Sequence, residues 1–226
     1  MYIVPKCTVL EENMFVGERM SHPIIAIAPD MPVHDALDMF KRERIRRAPV
    51  VKGGKLVGIV SDKDLLNASP SPATSLSIWE MNYLLSKVTV SEVMTKNVLT
   101  VSEDTPIEEA ARIMADNKIG GLPVMRDGHV VGIITETDLF KIFLEFMGAR
   151  EKGVRITALL EDKPGQLAKI TQAISGAGGN FIAFGQFTGE DPSNRLVTFK
   201  VKGVTKSAAK EAIQNIAKEI WDVQEI

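Results

Sequence analysis

Cysteine is almost missing from this chain: Cys7 stands alone among 226 residues. A single thiol forms no intramolecular disulfide, and this usage fits a reducing compartment, so the expected location is cytoplasmic. An excess of charge of one sign is missing too. Lys and Arg number 27 against 29 Asp and Glu, a formal net charge of -2, which gives no electrostatic case for nucleic acid or an anionic membrane. Any charged ligand must therefore be met by local residues. The most apolar late run, Leu139 to Met147, is short and carries Lys141 and Glu145, while Lys6 follows the apolar start instead of preceding it. Neither a spanning helix nor a secretory leader is expected. His22, His34, His129 and Cys7 lack the spacing of metal ligands, so no metal is expected.

What the chain has instead is a duplication. Residues 16 to 66 recur as residues 90 to 140 without a gap, at a constant offset of 74. Val16/Val90, Met20/Met94, Asp30/Asp104, Pro32/Pro106, Pro49/Pro123, Gly58/Gly132, Ile59/Ile133 and Asp64/Asp138 are identical. Prolines, glycines and aspartates kept in register over so long a stretch mark one structural unit used twice.

Each copy carries the same signals. A short apolar strand (Ile24, Ile25, Ile27; Val98, Leu99, Val101) leads to Asp-x-Pro and a helix with one apolar stripe (Val33, Ala36, Leu37, Phe40; Ile107, Ala110, Ala111, Met114). Two strands follow, joined by Lys52-Gly53-Gly54-Lys55 in one copy and Arg126-Asp127-Gly128-His129 in the other, and a last helix starts near Ser61 or Thr135. A β-α-β-β-α unit is small for independent stability, so two are expected to pack as a pair. Gly148 to Gly153 then changes composition abruptly, and β-α-β-β-α-β signals follow. The expected organisation is an extension over 1–13, repeats over 14–74 and 88–147 joined by a linking helix over 75–87, and a third domain over 154–226. The fold class is α+β.

The chemistry concentrates in Gly58-Ile59-Val60-Ser61-Asp62-Lys63-Asp64 and Gly132-Ile133-Ile134-Thr135-Glu136-Thr137-Asp138. A strand glycine leaves room for close approach, a hydroxyl at a helix start suits phosphate, and a carboxylate one turn on suits the two hydroxyls of a ribose. The same Ser/Thr-x-x-Asp spacing also makes a helix cap that needs no ligand, and local chemistry does not choose between the two. Arg46 and Arg47 precede the first cleft strand, where they either reach a phosphate or solvate a helix end; Gly120 and Gly121 take their places beside the second. Gly176-Ala177-Gly178-Gly179-Asn180-Phe181 lacks the last glycine of a dinucleotide fingerprint and leaves a helix instead of opening one.

The duplicated Met-Ser/Thr, Asp-x-Pro, Pro-Val and Gly-x-x-Ser/Thr-x-x-Asp pattern resembles a tandem pair of CBS domains, a Bateman module, over roughly residues 14 to 147. The resemblance implies a cleft for AMP, ADP or ATP, with Asp64 and Asp138 on ribose and Ser61 and Thr135 near phosphate. It also implies that Ile24, Val98, Ala48 and Leu122 enclose the base. Asp162-Lys163-Pro164-Gly165, with Leu167, Ala168, Ile170, Gly178 and Asn180, resembles the ACT domain family over 154–226. That likeness implies dimerisation and a tentative amino-acid site at Asp162, Gly165 and Asn180. The whole order resembles acetoin-utilisation proteins of the AcuB type. The expectation is a non-catalytic sensor with adenine nucleotide as regulatory ligand and no required cofactor. It forms a homodimer or larger homo-oligomer and acts on an unidentified protein; the rivals are a ligand-free scaffold and an enzyme acting on the nucleotide.

Overall fold

The computed structural model describes residues 14–68 and 87–226, so the N-terminal extension and nearly all of the expected linking helix lie outside the described residues. The chain divides into two compact units, Met1–Leu139 and Phe140–Ile226.

In the first unit, the first repeat runs α1 (Val16–Arg19), α2 (Val33–Glu43), β1 (Arg47–Lys52), β2 (Lys55–Ser61) and α3 (Asp62–Asn67). The second runs α4 (Val90–Val93), β3 (Val101–Ser102), α5 (Ile107–Asn117), β4 (Gly121–Arg126) and β5 (His129–Thr135), followed by α6 (Glu136–Phe146), whose first four residues close this unit and whose remainder belongs to the second. Pro32 and Pro106 sit at the N-caps of α2 and α5, where a missing N–H costs nothing. The apolar stripes are buried as their spacing predicts: Val33, Ala36 and Phe40 on α2, and Ile107, Ala110 and Met114 on α5. Gly53-Gly54 and Asp127-Gly128 all have positive φ, which matches the type I′ turn that the right-handed twist of a tight hairpin favours.

The early strands are shorter than their apolar content predicts. Ile27 makes only an isolated parallel bridge to Val50, and the equivalent β3 has two residues. The reason is that the preceding residues cross to the other repeat. Ser21 exchanges backbone hydrogen bonds with Ile133 at 2.8 and 3.1 Å, and Thr95 does so with Ile59 at 2.9 and 3.0 Å. Met20 and Met94 travel with them. The repeats are thus interlocked at the strands that carry the Gly-Ile-x-Ser/Thr-x-x-Asp motif.

The second unit contains β6 (Val154–Glu161), α7 (Gln166–Gly176), β7 (Asn180–Thr188), β8 (Asn194–Lys202), α8 (Lys206–Ile213) and β9 (Glu219–Glu225). The sheet order is β7-β8-β6-β9, and every pairing is antiparallel. Alternation on β6 and β8 buries Ile156, Ala158, Val197 and Phe199 beneath Ile170 and Ile174 of α7 and Ala209 and Ile213 of α8. Leu167 on α7 is 41% exposed, and α8 ends at Ile213. The segment with altered composition belongs to this unit: Gly153 and Ile226 exchange backbone bonds at 2.9 Å, and the buried Lys200 Nζ donates to the Gly148 carbonyl at 3.1 Å.

Candidate functional site

Both Ser/Thr-x-x-Asp motifs form caps. The Ser61 N–H and hydroxyl donate to Asp64 Oδ2 at 2.8 and 2.7 Å, and the Asp64 N–H donates to Ser61 Oγ at 3.2 Å. In the second repeat the Thr135 N–H and hydroxyl donate to Asp138 Oδ2 at 3.1 and 2.7 Å, with the Asp138 N–H to Thr135 Oγ1 at 3.4 Å. Capping therefore accounts for one carboxylate oxygen in each copy. It does not account for the other. Asp64 Oδ1 has no hydrogen-bond partner among the described residues, whereas Asp138 Oδ1 accepts from the Ser21 hydroxyl at 3.4 Å and its residue is 6% exposed.

Asp64 faces a cavity of about 490 Å³ whose lining includes Arg47, Ser61, Asp64, Thr95, Val98, Leu99, Lys118, Gly120 and Gly121. The two repeats build it together, because the Thr95–Ile59 exchange brings Val98 and Leu99 over the strand that ends at Ser61. Val98 thus joins Asp64. Ile24 is half-buried, three residues after the Ser21–Ile133 bridge, and is not in this lining. An apolar wall, a carboxylate with one open oxygen, hydroxyls and cations together suit a nucleoside carrying phosphate.

Several expected site residues lie elsewhere. Ala48 and Leu122 are fully buried core positions of β1 and β4, outside the cavity lining. Gly58 and Gly132 do not admit a ligand: a Cβ on either would overlap the sulfur of Met94 or Met20, so their open faces receive a methionine from the other repeat. Arg46 is exposed and outside the lining, which fits a solvated helix end. Gly120 and Gly121 line the Asp64 cleft and do not set a separate flank, since the Arg47 side chain lies on them.

Arg47 is the residue whose setting the sequence leaves open. It is half-buried and, among the described residues, its side chain has neither a hydrogen bond nor an ion pair. Burial draws its guanidinium below the ordinary value, while the charges of Glu136 and Asp62 pull the other way. Lys118 was not anticipated either. It ends α5 in the left-handed conformation at φ 54°, as Arg44 ends α2 at φ 54°, and no glycine marks either position.

In the second unit the three residues of the expected amino-acid site do not meet. Asp162 follows the end of β6 and pairs with Arg195 at 2.9 Å, and Gly165 begins α7 at φ 85°. Asn180 begins β7, where its register partner is Lys202, at the opposite end of the sheet from Asn194 and Glu161.

Two interlocked copies of one unit enclose a polar-rimmed cleft between them, the arrangement of a duplicated module. Residues 16–71 and 90–145 each match the CBS domain family, and this chain belongs to that family as a tandem pair. A CBS domain-containing protein of Dictyostelium discoideum is 32% identical over 137 residues, 60% of this chain and 94% of that protein. The uncharacterized protein MJ1225 of Methanocaldococcus jannaschii is 30% identical over 59% of this chain, which spans 49% of that longer relative. Among solved structures, the Vibrio cholerae protein AcuB, assigned to acetoin utilization, is 29% identical with a TM-score of 0.50. The match covers 61% of this chain and 96% of that one.

Proposed function

We propose that this chain is a non-catalytic regulatory protein whose CBS pair senses an adenine nucleotide, AMP, ADP or ATP, chiefly in the Asp64 cleft. The observation that carries this reading is the cavity that sets the open Asp64 oxygen and the unpaired Arg47 guanidinium on one wall system with Val98 and Leu99. A carboxylate oxygen accepts a ribose hydroxyl, and a guanidinium binds phosphate through parallel N–H donors. The apolar wall accepts a base. At Asp138 the same motif, with its carboxylate already engaged by Ser21, is read as a second and weaker site.

The C-terminal unit is read as an ACT-like dimerisation domain, supported by its β-α-β-β-α-β order and the Asp162-to-Gly165 turn. Amino-acid sensing through Asp162, Gly165 and Asn180 requires a second copy to bring the two sheet ends together. The protein acts in the cytoplasm, as a homodimer at least, on a regulated protein partner. Light scattering on the whole chain tests the dimer; a monomer at micromolar concentration contradicts it.

The ligand-free scaffold has its own supporting observation, the completed caps. Calorimetric titration of the whole chain with AMP, ATP and S-adenosylmethionine separates the readings. Binding without turnover supports the sensor, turnover supports an enzyme, and silence supports the scaffold.

A further inference from the structure

The start of α3 offers a negative charge less than its motif suggests. The single proton of the Ser61 hydroxyl goes to Asp64 Oδ2 at 2.7 Å. The Ser61 N–H goes there too, at 2.8 Å, and the Asp64 N–H goes to Ser61 Oγ at 3.2 Å. Between them, the Asp62 N–H donates to the Arg46 carbonyl and the Lys63 N–H to Asp62 Oδ1, both at 2.8 Å. Every donor from Ser61 to Asp64 except the Lys63 ammonium is engaged, so the backbone and hydroxyl of this turn have none left for a phosphate.

The charged side chains in the cavity lining are Arg47, Lys118 and Asp64, two cations against one carboxylate. Lys118 is exposed and screened by salt, whereas Arg47 is half-buried. The Arg47 guanidinium lies against Gly120 and Gly121: a Cβ on Gly120 would come within 2.7 Å of Cζ, and one on Gly121 within 2.9 Å of Nη1. In the first repeat those two positions are Arg46 and Arg47 themselves, so the second copy supplies room for a cation instead of another pair. Asp62 and Glu136 act on Arg47 at longer range but make no ion pair with it among the described residues. A partly desolvated guanidinium without a partner attracts an anion, and repels a cation, more strongly than one in open water.

We propose that the Asp64 cleft selects its ligand by charge through Arg47, taking adenosine derivatives whose 5′ group is anionic, such as AMP, and refusing those whose 5′ group is cationic, such as the sulfonium of S-adenosylmethionine. The proposal rests on the nucleotide reading above and divides its labour: Asp64 holds the ribose, Arg47 holds the phosphate, and Ser61 is a positioning residue that orients Asp64. A guanidinium offers a phosphate parallel charged donors, which a neutral hydroxyl does not replace.

The test is calorimetric titration of the full chain with AMP, adenosine, S-adenosylmethionine and S-adenosylhomocysteine, the last a thioether that keeps the bulk of the sulfonium compound without the charge on sulfur. The wild type is expected to bind AMP about tenfold or more tighter than adenosine, and the thioether about tenfold or more tighter than the sulfonium. Arg47→Gln shrinks both ratios to about twofold and leaves adenosine bound as before. Ser61→Ala weakens AMP and adenosine alike and keeps their ratio. A variant whose melting curve shows no folded protein passes the decision to the two wild-type ratios. Four results overturn the charge selection and leave the nucleotide reading standing: AMP bound but no tighter than adenosine, the sulfonium bound as tightly as the thioether, either preference surviving in folded Arg47→Gln, or the AMP preference lost in Ser61→Ala. A wild type that binds none of the four compounds overturns both.

Discussion

The two repeats write the same motif and leave its carboxylates in different states. Asp138 is buried, with one oxygen in the Thr135 cap and the other on Ser21, whereas Asp64 is half-buried and keeps one oxygen toward the cavity. Thr95 stands where Ser21 does but makes no hydrogen bond to Asp64. The same sequence pattern therefore leaves one carboxylate closed within the fold and the other open toward a cavity. What decides is the residue supplied by the other copy.

The largest expected effect breaks this comparison directly. Asp138→Ala removes a buried acceptor and leaves the Thr135 donors unmatched, so it should destabilise the protein by about 2–3 kcal/mol in urea unfolding. Asp64→Ala, whose partners reach solvent, should cost about 1 kcal/mol. Equal losses would mean that the two carboxylates do the same work. The glycines come next. Gly58→Ala presses on Met94 and comes within 3.1 Å of the Thr95 carbonyl, while the three nearest atoms to a Cβ on Gly132 all belong to the flexible Met20 side chain. Gly58→Ala should therefore cost about 2 kcal/mol and Gly132→Ala about 1 kcal/mol. Adding Met94→Ala or Met20→Ala should relieve each partner, and strict additivity in the double-mutant cycle would rule out the packing.

Smaller effects sharpen the same contrast. The Ser21 hydroxyl reaches Asp138 at a long 3.4 Å, so Ser21→Ala should cost about 0.5 kcal/mol of stability. At the starts of α1 and α4 the repeats differ again. The Glu92 carboxylate accepts from the Thr89 N–H at 2.8 Å and its hydroxyl at 3.0 Å, and the carboxyl is held below its ordinary value of 4.5 by these bonds. Phe15 stands in the place of Thr89 and makes no such cap. A lowered carboxyl contributes stability that is present above the ordinary value and is lost as pH falls through the folded one. Glu92→Gln should therefore reduce the loss of melting temperature below about pH 4.5. An acid loss unchanged in Glu92→Gln would contradict the cap assignment.

The fold was largely legible because its signals are local. Hairpin glycines, Pro32 and Pro106, and the stripes of α2 and α5 state their elements without help from distant residues. The cleft was legible in part. Asp64, Ser61, Arg47 and Val98, candidates from the motif and the family resemblance, line one cavity. Gly58 and Gly132 did not, because a strand glycine reports only that something approaches closely, and here it is a methionine from the other copy. The same limit hid the pairing of Val98 with Asp64, the contact of Arg47 with Gly120 and Gly121, and the place of Lys118 in the cavity lining. Each depends on which copy lies across the cleft, and a period of 74 residues says that there are two copies without saying how they cross.

The most direct test of the central claim is calorimetric titration of AMP into the wild type, Asp64→Ala and Asp138→Ala, each with its melting curve. Asp64→Ala should lose about 1.5–3 kcal/mol of affinity at the tighter step, the scale of a hydrogen bond to a charged group, with only a modest change in melting. Asp138→Ala should show the reverse, a large drop in melting temperature with the tighter step preserved wherever the protein remains folded. An Asp64→Ala protein that binds AMP like the wild type would contradict the assignment and return that carboxylate to the role of a cap.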